Sequence, residues 1–219
     1  MNILAIETCS RIGSLSVRSG ELERHWVGSL QVSRSEDLLF SIERILRDSR
    51  IQPKDLEAVV VADGPGSFTG LRIGISVAQG LAFALGIRCF GVSILESLAL
   101  AAFDKERKYR EVTSLVSLAQ NSWAQQTFLL EDEEVEAVGT ELILSYENEV
   151  FSKIGVDQTL IFAIDRETFQ SKLLPNLDRG VENLIRVEQN LATWVGLVGK
   201  RKIERGIDSE SVVPQYLLS

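Results

Sequence analysis

The run VVVADGPGSFTGLRIG, residues 59–74, constrains the fold of this chain more than any other stretch. Its first part belongs to LEAVVVAD at 56–63, a β-branched series without alternation, which predicts a strand buried on both faces. Gly64, Pro65 and Gly66 then demand a tight turn, and Ser67 or Thr69 can cap the helix expected over about 70–86. Such a junction offers free backbone N–H groups and the positive end of a helix dipole, so it can cradle an anion. It matches neither standard phosphate loop. The Walker pattern needs a lysine where Leu71 follows Gly70, and the spacing of Gly64, Gly66 and Gly70 fails the dinucleotide pattern. A capped structural turn and a phosphate loop, working or vestigial, both stay open on spacing alone.

The surrounding periodicities supply the rest of an α/β order. ILAIET at 3–8, SLSVRS at 14–19 and ELERHWV at 21–27 read as three strands joined by short turns. Ser33 and Glu36 have capping-box spacing and open a helix of about fifteen residues with the stripe Leu38, Leu39, Ile42, Ile45, Leu46. After the buried strand and its helix, RCFGV at 88–92 is a further strand, and a helix runs from Ser93 to about Phe103. Strand, strand, strand, helix, strand, helix is the order of a ribonuclease H-like half-domain. The charged stretch DKERKYR, 104–110, is the best boundary in the chain. Beyond it, 112–119, 122–130 and 159–165 read as strands and QNLATWVGLV at 189–198 as a helix ending near Gly199, a looser copy of the first half. The acidic EDEEVE at 131–136 reads as a solvated hairpin tip.

Composition narrows the chemistry. With 219 residues and a net charge of −8, the chain lacks the basic face that wraps nucleic acid. The basic clusters KERKYR at 105–110 and KRKIER at 200–205 are interrupted by Glu106 and Glu204 and read as solvated helix ends. One histidine, His25, and two cysteines, Cys9 and Cys89, cannot furnish a zinc site or a histidine acid–base pair. Cysteines so far apart, and no basic leader before the apolar residues 3–6, suggest a reducing cytoplasm. The weakly polar run 73–87 falls about five residues short of a membrane span, so no membrane segment is expected.

GPGSFTGLRIG, preceded by VVVAD and followed by a small-residue helix and GVSILESLA at 91–99, closely resembles the TsaB (YeaZ) family. These are bacterial proteins of tRNA threonylcarbamoyladenosine (t6A) synthesis, related to TsaD and to the glycoprotease or M22 peptidase group. ILAIETCS, SRSEDLLFSIERIL and the terminal PQYLL at 214–218 also resemble that family. The resemblance implies an actin-like (ASKHA) fold of two ribonuclease H-like halves, at 1–105 and 106–219, the second degenerate. It implies a non-catalytic partner of TsaD, which carries the metal and nucleotide site and transfers the threonylcarbamoyl group to N6 of the adenosine next to the anticodon. The resemblance further implies that TsaE joins the pair, that tRNA is met only indirectly, that the isolated chain needs no cofactor, and that homodimer and monomer both stay open for the chain alone.

This chain departs from the family pattern at instructive places. Glu7 stands where the family usually has aspartate, Arg34 where relatives often have histidine, and the tail ends in Leu218 and Ser219 without the usual arginine. The family's second-half Asp-Ala-Arg-x-Gly-Glu is replaced by Ser117, Leu118, Ala119, Gln120, Asn121 and Ser122. That removes the second jaw of a phosphate and magnesium clamp. Glu7, Thr8 and Ser10 remain readable as a vestigial phosphate turn, and an actin-like small-molecule kinase or ATPase acting alone is the alternative function. A peptidase reading would need a metal or an activated nucleophile.

On the expected helix 70–86, Leu71, Ile75, Ala78 and Ala82 share one face and Ile73, Val77, Gly80 and Ala84 another. Arg72, Ser76, Gln79 and Phe83 form a mixed stripe, and Gly74 and Gly80 would let a neighbouring backbone approach. The preceding helix projects Phe40 among Glu36, Glu43, Arg44 and Arg47, opposite its core stripe. TsaB-like proteins pair through these two helices, so the resemblance makes Phe40, Arg44, Arg72, Ser76, Gln79 and Phe83 the expected partner surface.

Overall fold

The computed structural model describes residues 1–10, 12–28, 35–105, 110–118, 122–131, 134–145, 159–163, 184–187, 190–207 and 212–215. The readings at Ser33 and Arg34, within the 105–110 cluster, at Ala119 to Asn121 and at residues 216–219 fall mostly or wholly outside them. The chain divides into two compact units, Met1–Ile94 with Gln189–Tyr216, and Leu95–Glu188 with Leu217–Ser219.

The first unit holds a five-stranded sheet of β1 (Asn2–Glu7), β2 (Ser14–Ser19), β3 (Leu22–Val27), β4 (Ala58–Gly64) and β5 (Arg88–Ser93), in the order β3-β2-β1-β4-β5. β1, β2 and β3 pair antiparallel, and β4 runs parallel to both β1 and β5. All seven residues of β4 are buried, as an unalternating β-branched strand requires. Leu4, Ile6, Val59 and Val61 pack with Leu38, Ile42, Ile45 and Leu46 of α1 (Ser35–Asp48) and with Ile75, Ala78 and Ala82 of α2 (Phe68–Leu85). The alternate residues Ala5 and Val60, partners in register, face the last helix of the chain (Leu191–Glu204, α4 below). A Cβ on Gly196 would lie 3.1 Å from that of Ala5, and one on Gly199 would run into the Val60 side chain. Two small residues thus seat α4 directly on the sheet.

The second unit holds β6 (Glu111–Ser117), β7 (Ser122–Glu131), β8 (Glu134–Ser145), β9 (Thr159–Ala163) and β10 (Leu184–Val187), in the order β10-β9-β6-β7-β8. Read from the other edge, this is the order of the first sheet, with the same antiparallel and parallel pairings. It also contains α3 (Ile94–Lys105) from Leu95 onward.

Several expectations need correction. The division differs from halves at 1–105 and 106–219: α3 goes with the second unit, and α4 returns to the first because its glycines fit Ala5 and Val60. α4 does not stop near Gly199 but runs to Glu204, since that glycine is a packing position rather than a cap. β8 and β10 add to the three strands expected. EDEEVE, by contrast, lies at a hairpin as expected, with Glu131 of β7 paired to Glu134 of β8 and residues 132–133 outside the described ones. Leu39, placed in the α1 stripe, is 52% exposed because Leu38, Ile42, Ile45 and Leu46 already complete the buried face. Among the described residues, α2 alone meets the length and composition of a membrane span, which 73–87 had seemed to miss; its Leu71, Ile75, Ala78 and Ala82 are buried within this fold.

Candidate functional site

The turn after β1 and the glycine loop after β4 come together, and their polar groups are spent on each other. Thr8 Oγ1 donates to the Gly70 carbonyl at 2.7 Å, and the Ser67 N–H donates to the Cys9 carbonyl at 2.8 Å. Ser67 caps α2 by accepting the Gly70 N–H at 3.3 Å. A Cβ on Gly66 would lie 2.6 Å from the Cys9 carbonyl oxygen; one on Gly70 would collide with the Thr8 carbonyl oxygen, and one on Gly74 with Thr8 Oγ1. Three glycines of the strongest motif therefore admit the β1 turn to the base of α2. Gly64 has a different reason, a φ of 138° that side chains rarely adopt.

Glu7 completes the closure. Its fully buried carboxylate accepts the Ser10 N–H at 2.6 Å and lies 2.8 Å from Ser10 Oγ, 3.2 Å from Ser14 Oγ and 3.4 Å from Cys9 Sγ. Ser14 Oγ in turn accepts the Ala192 N–H at 3.0 Å, in the first turn of α4. Of the residues that would meet a phosphate, Ser10 is thus turned toward a carboxylate of the chain itself and Thr8 toward the Gly70 carbonyl. Ser10 Oγ also lies 2.7 Å from the Ile12 carbonyl, which gives it two acceptors for one hydrogen when Glu7 is ionised. A protonated Glu7 resolves the conflict by donating to Ser10, which then donates to Ile12. Burial also raises the Glu7 pKa, against the opposing hydrogen bonds from Ser10, Cys9 and Ser14.

Neither thiol is activated. Burial, reinforced by Glu7, pushes Cys9 well above the usual thiol range, and burial pushes Cys89 up to about 11. His25 is exposed on β3. Among the described residues, no group of three or more His, Cys, Asp or Glu is placed to hold a metal ion.

The outward faces of α1 and α2 have a different character. Phe83 is 91% exposed, Phe40 71% and Phe68 51%, and Arg72 and Ser76 are exposed beside them. The Arg72 guanidinium lies 3.9 Å from the Phe68 ring centroid, a cation–π stack at helical i, i+4 spacing. Arg44 pairs with Asp48 at 3.8 Å and Arg47 with Glu43 at 2.9 Å, both in open solvent. Gln79 is exposed as well, and its Nε2 donates to the Val212 carbonyl at 2.7 Å. Gly74 is filled from within by Thr8, whereas nothing lies within 4 Å of a Cβ on Gly80. Sequence reasoning missed Phe68, although its spacing to Arg72 was legible, and missed Ser14 and the tail residue Val212, for which no periodic signal existed.

A duplicated sheet order, helices on the first sheet and a closed turn after its first strand define an actin-like (ASKHA) α/β protein. The family model described as "TsaD: tRNA N6-adenosine threonylcarbamoyltransferase" matches residues 31–154, and the chain belongs to this family, in its TsaB (YeaZ) branch. The Bacillus subtilis "tRNA threonylcarbamoyladenosine biosynthesis protein TsaB" is 38% identical over 45% of this chain and 44% of its own length. The Escherichia coli protein of the same name is 32% identical over 63% of this chain and 62% of its own length. The chain thus matches about half the length of these curated relatives. The solved structure of YeaZ from Pseudomonas aeruginosa shares the fold over 99% of both chains, with a TM-score of 0.78 and 22% identity.

Proposed function

We propose that this chain serves t6A synthesis as a non-catalytic subunit that pairs with a TsaD protein through the outer faces of α1 and α2. Phe40, Arg44, Arg72, Ser76, Gln79 and Phe83 meet the partner. TsaE joins the pair, tRNA is held by the partner, and the isolated chain uses no cofactor. The closure of the β1 turn carries this reading: Thr8, Ser10 and Glu7 spend their polar groups inside the chain, so little is left to grip a phosphate. The relatives' name supports the pathway, and a net charge of −8 suits a subunit that meets a protein better than one that meets tRNA.

The test is double charge reversal, Arg44→Glu with Arg72→Glu, followed by co-purification with TsaD from the same organism. Weakening by tenfold or more, about 1.4 kcal/mol, is expected for charges inside an interface. Undiminished binding sinks the assignment of this surface. Titration of the isolated chain with ATP and magnesium tests the closed turn separately: tight stoichiometric binding would revive a kinase or ATPase acting alone.

A further inference from the structure

In open α/β sheets, ligands usually settle at the carboxyl ends of the parallel strands. At the ends of β4 and β5 that place is taken by the chain's own tail. Val212 is buried in the core between sheet and helices, and its carbonyl accepts Gln79 Nε2 of α2 at 2.7 Å. The Gln215 N–H donates to the Asp63 carbonyl at the end of β4 at 2.8 Å. Two glycines lie against it: a Cβ on Gly64 would lie 2.8 Å from the Gln215 carbonyl oxygen, and one on Gly91 of β5 would run into the Asp63 carboxylate and lie 3.2 Å from Val212 Cγ1. Val213, between these anchors, is 62% exposed.

We infer that Val212–Gln215 is a strap that fills the strand-end crevice in cis and fixes the pose of α2, so the outer face of α2 is presented only while the strap is seated. Three elements are tied at once, β5 through Gly91, β4 through Asp63 and Gly64, and α2 through Gln79. Gln79 is the lever, because it stands in the outward stripe with Arg72, Ser76 and Phe83 while its amide holds the tail. The strap's effect on pairing rests on the partner surface proposed above, whereas its seating does not.

The experiment compares the full chain with its Gln79→Met and Val212→Asp variants. Hydrogen exchange is read at the Gln215 amide and along α2, with β1 amides as an internal check of the fold. Gln79→Met, which keeps the length but loses the donor, is expected to speed Gln215 exchange about three- to tenfold, the worth of one hydrogen bond. Val212→Asp, which puts a charge in the core, is expected to release the strap and speed exchange in α2 while β1 stays protected. Unchanged exchange at Gln215 and α2 in both variants overturns the strap. Faster exchange with undiminished TsaD co-purification overturns its control over the α2 face. The Arg44 and Arg72 reversals leave the strap seated, so a failure of the partner surface shows there with normal Gln215 exchange and is not mistaken for a failure of the strap.

Discussion

The two sheets share one strand order and use it differently. In the first, the turn between β1 and β2 is closed by Glu7, Ser10 and Ser14, and glycines at 66, 70 and 74 bring α2 against that turn. In the second, the long outer strand β8 is exposed along most of its described length, and its Gly139 has no atom within 4 Å of a Cβ. Gly139 is there for a backbone φ of 72°, at an irregularity where the β7–β8 register shifts. Gly66, Gly70 and Gly74, which join the first sheet to α2, answer a demand for space, whereas Gly139 in the second answers a demand for conformation alone. What separates the copies is close approach: the first spends its small residues on contact between elements.

The largest effect should come from Gly70→Ala, whose Cβ meets the backbone carbonyl of Thr8 rather than a side chain able to move. A loss of about 3 kcal/mol or more in urea unfolding is expected, with the β1 turn and α2 forced apart. Gly139→Ala should cost only about 1 kcal/mol, the strain of a positive φ with open space around it. Equal costs at the two positions would erase the distinction between the sheets.

A pH dependence comes next, from Glu7. Burial raises its folded pKa above the ordinary glutamate value, so between the unfolded and folded values the folded state holds more protons. Stability contributed by the protonated form is therefore present below the unfolded value and lost as pH rises through the folded one. Glu7→Gln replaces the acid proton by an amide that can still donate to Ser10, so it should flatten this slope and gain on the order of 1 kcal/mol near neutral pH. Denaturant midpoints measured from about pH 4 to 8 check it; a wild-type midpoint that rises across that range, with the variant losing the rise, would mean that Glu7 is held ionised.

The first sheet was legible in the sequence because its signals agree at several levels. VVVAD lacks alternation, Leu38, Ile42, Ile45 and Leu46 recur at helical spacing, and Leu71, Ile75, Ala78 and Ala82 were assigned to one face that proves buried. β8 was illegible because exposure on both sides removes the period of two, and β10 because LIRV is only four residues. The return of α4 has no signal in chain order, because residues 95–188 of the second unit separate it from the sheet it packs on. Its signal was WVGLVG, whose glycines three apart mark a helix that lies close on a sheet. At the candidate site the sequence left phosphate cradle and capped turn open, since spacing alone cannot say what fills a glycine's missing side chain. Thr8 and Cys9 of the same chain fill it.

The smallest effect probes the surface that distinguishes the first unit. Gly80 lies within α2, exposed, with no neighbour within 4 Å of a Cβ. In the isolated chain Gly80→Ala should stabilise by about 0.5 to 1 kcal/mol, because alanine loses less backbone entropy in a helix and meets nothing. If a partner helix packs against this face, the added methyl sits where two backbones approach, and TsaD binding should weaken while the thermal midpoint rises. Opposite signs in one variant cannot come from misfolding, so they would locate the contact on α2. A gain in stability with unaltered pairing would move the partner off Gly80, toward Phe83 and Arg72 on the one side or Phe40 on α1.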